Sequence, residues 1–219
     1  FRTRWAHKEQ FLSNNFDRVS LGTKKPIITA QFTYGFKGVL DSDYEYQKAI
    51  IGWKHKVPLG ILGNFKYRFE LGKVWGAVPY PLLEIHLGNE TWTYNKLAYN
   101  MMNISEFVSD EYISASFEHH FDGLFFNKIP IIRKLKWREV ATFKAIYGRL
   151  SPKHRREMVL PYFTSSLSEK PYSEVSVGIE NIFQVFRVDA IWRLSYRDNS
   201  FDGIQVYKFG LRCKFQVDF

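Results

Sequence analysis

Two adjacent imidazoles, His119 and His120, stand out among the residues whose type and spacing invite chemistry. Paired histidines can hold a transition metal or relay a proton. Their surroundings argue against joint ligation. Ile113, Ala115 and Phe117 alternate with Ser114, Ser116 and Glu118, which is the period of a strand. Neighbouring side chains on a strand point to opposite faces. One histidine therefore belongs to each face, and Glu118 shares the face of His120, where the two can pair. No metal site is expected.

Two basic runs come next, Arg133-Lys-Leu-Lys-Trp-Arg138 and Lys153-His-Arg-Arg156. Clustered cations hold phosphate groups. In the second run Lys153, Arg155 and Arg156 are candidates for contact with lipopolysaccharide phosphates. The formal charge of +9 makes nucleic acid the rival reading. Most basic residues, however, are spread one per step of the alternation rather than gathered on one patch, so no nucleic-acid partner is expected.

Catalysis needs converging groups. Glu84, His86, Asp198 and Asp202 fall between the alternating stretches, where such residues are ordinarily solvated. There is no Gly-x-Ser-x-Gly, no His-Glu-x-x-His and no glycine-rich phosphate loop. No enzymatic activity and no cofactor are expected. A single cysteine, Cys213, excludes an intrachain disulfide and a cysteine-cluster zinc site. With 45% apolar residues the chain is no disordered tail, and no window resembles a membrane-spanning helix.

The elements that must position these residues are strands. Tyr207, Phe209, Leu211, Cys213, Phe215, Val217 and Phe219 alternate with Lys208, Gly210, Arg212, Lys214, Gln216 and Asp218. No helix has that pattern. Similar alternation runs through 28–36, 49–53, 65–71, 113–117, 141–147, 175–179 and 186–196. The fold class is all-β and antiparallel, with at least eight strands, several of them long enough for the ~9–11 residues of a tilted membrane-spanning strand. The division is a lead-in segment over 1–25, ambiguous and with room for one strand near Val19–Gly22, and a β-barrel domain over 26–219.

Alternation alone does not say which face is inside. Three features favour a transmembrane barrel over a soluble one. The polar face carries charges of both signs, suited to pairing across a small lumen. The lumen-facing charged set is Lys66, Arg68, Glu70, Glu118, Glu174, Glu180, Arg187, Asp189, Arg193 and Arg212. The lipid-facing set is Phe65, Tyr67, Phe69, Leu71, Phe143, Val175, Val177, Ile179, Val188, Trp192, Leu194, Phe209, Leu211 and Phe215. Connections also alternate in kind. Val57–Gly63, Asp122–Lys136 and Asn181–Val185 are fairly short, while Lys73–Glu111, Ser151–Pro171 and Arg197–Gly203 are longer or more polar. Third, a last alternating strand ending in Phe, with Phe215, Val217 and Phe219, is similar to the signal that barrel-assembly machinery reads, which puts the C-terminus on the periplasmic side.

A register follows for one hairpin. With a tight turn over Asn181–Val185, Glu180 faces Arg187 and Glu174 faces Arg193 on one side. Ile179 faces Val188, Val177 faces Ala190 and Val175 faces Trp192 on the other. The Lys73–Glu111 connection, with Trp75, Trp92, Tyr94, Tyr99, Met101 and Met102, is either a plug, a partner-binding loop or an extra strand pair.

The stretches Ser116–Val140 and Tyr172–Leu194, whose sequences include His-His-Phe-Asp-Gly-Leu-Phe-Phe-Asn-Lys-Ile-Pro and Val-Gly-Ile-Glu-Asn-Ile-Phe-Gln-Val-Phe-Arg-Val, resemble an outer-membrane barrel family of Bacteroidota, domain of unknown function 5686. The resemblance implies the C-terminal part of a longer protein that carries an N-terminal carboxypeptidase-regulatory-like β-sandwich. It also implies that these strands are part of a larger barrel, and it brings no established activity. The expected function is an accessory or scaffolding subunit of an outer-membrane complex. A pore for small solutes and a barrel-rim enzyme are the alternatives. The expected partners are the lipid bilayer, lipopolysaccharide, other outer-membrane proteins and, during biogenesis, the assembly machinery.

Overall fold

A computed structural model describes residues 1–13, 18–39, 41–201 and 204–215. The alternating stretches form one antiparallel sheet of nine strands: β1 (Arg2–Ala6), β2 (Ile27–Gly35), β3 (Tyr46–Pro58), β4 (Asn64–Trp75), β5 (Glu111–His120), β6 (Arg138–Arg149), β7 (Tyr172–Ile182), β8 (Phe186–Arg193) and β9 (Phe209–Phe215). Each strand pairs with the next in the chain, so the sheet is a continuous meander. No β1–β9 pairing closes it among the described residues.

Eight of the nine are the stretches read from alternation. The ninth, β1, lies in the lead-in. That segment also carries a hairpin, Gln10–Ser13 with Arg18–Gly22, so it holds three strands where the sequence suggested one at most. Asp202, Val217 and Phe219 lie outside the described residues.

The two faces of the sheet are inverted relative to a protein folded in water. Outward side chains are apolar and open: Leu71, Val177 and Leu211 are 50%, 55% and 59% exposed. Inward side chains are charged and covered: Arg187 and Asp189 are both 0% exposed. The cover is the β4–β5 connection, residues 76–110, which folds back over the inner face. Within it Glu84–Ile85 and Phe107–Ser109 pair antiparallel, and Ser165–Ser166 from the β6–β7 connection pairs parallel with Phe107–Ser109. Apolar residues of this insert (Tyr99, Met102, Phe107) cluster with Tyr112, Ile146, Leu167, Tyr172 and Tyr196. A second cluster joins Val78, Leu83 and Val108 to Val74 and Leu150. Of the readings open for this segment, the structure has it folded back and packed on the sheet.

The insert also meets one edge of the sheet. Tyr94 N donates to Cys213 O at 2.7 Å and Cys213 N to Trp92 O at 3.0 Å, a parallel bridge on the free side of β9. This partly satisfies an edge that would otherwise offer unpaired amides. Gly72 shows how tightly the inner face is packed. It faces Tyr112 across β4 and β5, and a Cβ there would come within 2.1 Å of the tyrosine ring. The Tyr112 hydroxyl runs on to Glu70 at 2.7 Å.

The other connections carry little regular structure. The β5–β6 link contains a short helix, α1 (Pro130–Leu135), with Phe125 and Ile131 exposed. The β6–β7 link begins with α2 (Pro152–Glu157).

Candidate functional site

The inner face is the place where charged side chains converge, and it is built in three parts. The first centres on Glu118 of β5. Its carboxylate accepts from Arg187 Nη1 at 2.9 Å and Lys66 Nζ at 3.4 Å, and lies 2.7 Å from His120 Nε2. His120 Nδ1 lies 2.9 Å from both carboxylate oxygens of Glu180. Arg187 donates on its other side to Asp189 at 2.7 and 2.8 Å and to Thr142 at 3.3 Å. The Tyr94 ring stacks on this group, 4.7 Å from the Arg187 guanidinium and 5.0 Å from the Lys144 ammonium. His120 Nε2 is also 2.8 Å from Lys66 Nζ. That nitrogen can donate to Glu118 or accept from Lys66, not both. His119 points the other way, to Leu62 O at 2.9 Å, as strand parity requires.

The second part is a clamp on the insert. Glu174 accepts the backbone N–H groups of Asn100 and Met101 at 2.9 and 3.0 Å and the Tyr172 hydroxyl at 3.1 Å. Arg193 donates to Met101 O at 3.0 Å and to both carboxylate oxygens of Glu106 at 2.9 and 2.5 Å. Lys144 donates to Ala98 O at 2.6 Å and Asn95 O at 3.1 Å. Arg212 reaches Asn100 O at 3.1 Å. Four inward charges thus satisfy the backbone of one short stretch of the insert.

The hairpin register read from the sequence holds for Glu174 with Arg193, Val175 with Trp192, Val177 with Ala190 and Ile179 with Val188. The pairing of charges does not follow it. A register shift between Ile179 and Ile182 breaks the ladder beside Glu180, and Glu180 bonds to His120 while Arg187 bonds to Asp189 and Glu118. Glu174 and Arg193 are register partners but each bonds to the insert. For Glu180 and Arg187 the cause is the register shift, and for Glu174 and Arg193 it is the insert, which brings its own amides, carbonyls and Glu106 to the inner face.

Of the inward charged set, Glu118, Glu174, Glu180, Arg187, Asp189 and Arg193 are buried, and Lys66, Arg68, Glu70 and Arg212 half-buried. Of the outward set, Phe69, Leu71, Phe143, Val177, Trp192, Leu194, Phe209, Leu211 and Phe215 are exposed. Phe65, Tyr67, Val175, Ile179 and Val188 are half-buried by their neighbours.

A serine, a histidine and an aspartate do converge, where the sequence reading did not look. The Ser151 hydroxyl donates to Asp110 at 2.5 Å, and His154 Nε2 lies 3.2 Å from the same oxygen, Asp110 Oδ2. His154 Nδ1 lies 3.2 Å from Val78 N, which can donate to it. The order differs from that of a serine–histidine–aspartate triad, because the aspartate stands between the other two and the imidazole does not reach the serine hydroxyl. The group instead ties the start of α2 to the end of the insert. In the basic run around it, His154 is buried, Lys153 half-buried, and Arg155 and Arg156 exposed. Nearby, His86 Nε2 meets Ser109 Oγ at 2.9 Å, and burial together with the Lys48 charge pushes the imidazole down to about 3. Glu84 pairs with Lys48 at 2.6 Å, and Asp198 with Lys208 at 3.5 Å.

The third part is a cavity of about 920 Å³ between the inner face of β3–β6, the insert and the start of the chain. Nine lysine and arginine side chains line it against one carboxylate, Glu118. In its floor Lys54 faces Arg68 and Lys56 faces Lys66 across β3 and β4. The sequence reading missed Lys54, Lys56 and Lys96 here. The signal for the first two was present: in a hairpin joined by a tight connection, Lys54-x-Lys56 and Lys66-x-Arg68 share a face.

The class defined by these features is an all-β, mostly antiparallel protein whose sheet turns charge inward and hydrocarbon outward. The chain belongs to the family of unknown function DUF5686, whose C-terminal domain model matches residues 1–160. That match includes the stretch Ser116–Val140 and stops short of Tyr172–Leu194. No curated protein and no solved structure matches the chain.

Proposed function

We propose that this chain is a membrane-embedded β-domain of an outer-membrane protein, a barrel wall sealed by its own insert, which serves as a structural or accessory subunit of an outer-membrane complex. The observation that carries the reading is the inversion of the two faces. In water so many large apolar side chains exposed side by side on one face, Leu71, Ile113, Val177 and Leu211 among them, would mark a surface that something else covers. In a bilayer it is the required arrangement. Strand length agrees: β2 to β7 run 9, 13, 12, 10, 12 and 11 residues, the span of a tilted membrane strand. The accessory role, as against a pore, is supported by the clamp. Glu174, Arg193, Lys144 and Arg212 hold the insert across the inner face instead of lining an open channel.

The test is reconstitution of the chain into liposomes, followed by an alkaline carbonate wash and by planar-bilayer recording. Retention in the membrane with a silent bilayer is expected. Release into the wash would overturn the membrane reading. Retention with a steady conductance would replace the accessory role with a pore.

A further inference from the structure

We infer that the lysine-rich cavity on the inner face binds a multiply charged, phosphate-bearing anion. The first reason is a local imbalance. Nine cations line the cavity and one carboxylate, Glu118, which is already engaged with Arg187, Lys66 and His120. Elsewhere on the same face buried cations have partners: Arg187 has Asp189 and Arg193 has Glu106.

The second reason is register. Lys56 stands directly opposite Lys66, and Lys54 directly opposite Arg68. Side chains in such positions have Cβ atoms about 5 Å apart, and like charges there repel. Lys54 and Lys56 are exposed, and no carboxylate lies within ion-pair distance of either among the described residues. Lys96 brings a further exposed cation from the insert on the other side. A dianion or polyanion placed between the two sides converts repulsion into attraction. Ammonium groups suit phosphate, which accepts several donors at once.

The third reason is size. A cavity of about 920 Å³ is in the range that holds a ligand of drug or cofactor size, more than a lone ion needs. The chemistry is shared by a free phosphorylated metabolite and by a phospholipid headgroup. The inference rests on the cavity and not on the membrane reading.

The test is thermal unfolding and calorimetric titration of the full chain in nonionic detergent. The probes are inorganic pyrophosphate and mixed micelles containing cardiolipin, with phosphatidylcholine micelles as the control. A rise in the unfolding temperature with pyrophosphate identifies a free anion as sufficient. A rise with cardiolipin alone assigns the site to a headgroup. The double variant Lys54→Gln/Lys56→Gln should fold as well as the parent without anion, since it relieves repulsion. It should bind the effective probe about tenfold or more weakly. Lys96→Gln, on a separate element, should weaken binding in the same direction. No response to either probe overturns the inference, as does a double variant that binds like the parent. If the chain proves water-soluble, the pyrophosphate titration is run without detergent, so this inference and the membrane reading can fail separately.

Discussion

Glu174 and Arg193 face each other across β7 and β8, yet neither bonds to the other. Glu174 takes two backbone N–H groups of the insert, and Arg193 takes Met101 O and Glu106. A cross-strand pair of opposite charge has become the two jaws of a clamp. The expected consequence is that the insert loosens when either jaw is removed. Glu174→Gln, which keeps shape and drops charge, should cost about 1–3 kcal/mol. Arg193→Met leaves Glu106 buried without its cation and should cost more, about 3–5 kcal/mol. Limited proteolysis within residues 95–105, alongside denaturant melts, measures both. Unchanged cleavage in both variants would mean that the apolar clusters alone hold the insert.

The Arg187 group makes a different prediction. Arg187→Met strands Asp189 and leaves Glu118 short of a cation, and should cost about 3–5 kcal/mol. Replacing Asp189 as well, as Arg187→Met/Asp189→Leu, should recover part of that loss, because two apolar side chains of similar bulk do not need each other's charge. Chemical denaturation of the two single variants and the double variant gives the coupling. A double variant no more stable than Arg187→Met would show that Asp189 is not its principal partner.

His86 predicts a dependence on pH. Its imidazole is pushed down to about 3 by burial, with the Lys48 charge adding to the effect. Below pH 6.5 the unfolded chain gains a proton at this residue that the folded chain does not take up until about pH 3. Stability therefore falls as the pH drops through that window, by up to about 1.4 kcal/mol per pH unit from this group. Melting temperatures between pH 7 and pH 4, compared with those of His86→Gln, isolate the contribution. The variant should show a shallower acid slope, and equal slopes would remove His86 from the account.

Val177 separates a membrane from a water environment. It is 55% exposed on the apolar face. In a bilayer Val177→Arg should cost about 2–4 kcal/mol, since a cation there faces hydrocarbon. In water a surface change of this kind is worth about 0.5 kcal/mol or less. The yield of heat-modifiable, SDS-resistant chain after folding into detergent micelles reads the difference. An arginine variant that folds as well as the parent would count against the membrane reading.

The sequence by itself determined the strands β2 to β9, their antiparallel order and the register of the β7–β8 hairpin as far as Ile179. Each of these follows from a period of two and from short links, and both are local. It also placed Glu118 beside His120, because residues two apart share a face. β1 escaped notice because five residues, with only Thr3 and Trp5 facing away from Arg2 and Arg4, make too short a pattern, and its pairing with β2 makes it a strand. The partners of the inward charges were decided only by the tertiary structure. Parity says that Glu174, Arg193 and Lys144 point inward, but a long charged side chain then bonds to whatever donor or acceptor the fold brings nearest. Here that is the backbone of an insert some 70 to 90 residues away in sequence from Glu174 and Arg193. The surplus of cations around the cavity is likewise a sum over four separate parts of the chain, the lead-in, the β3–β4 hairpin, the insert and Lys144 of β6, and it exists only once the insert and the lead-in have closed over the floor laid by β3 and β4.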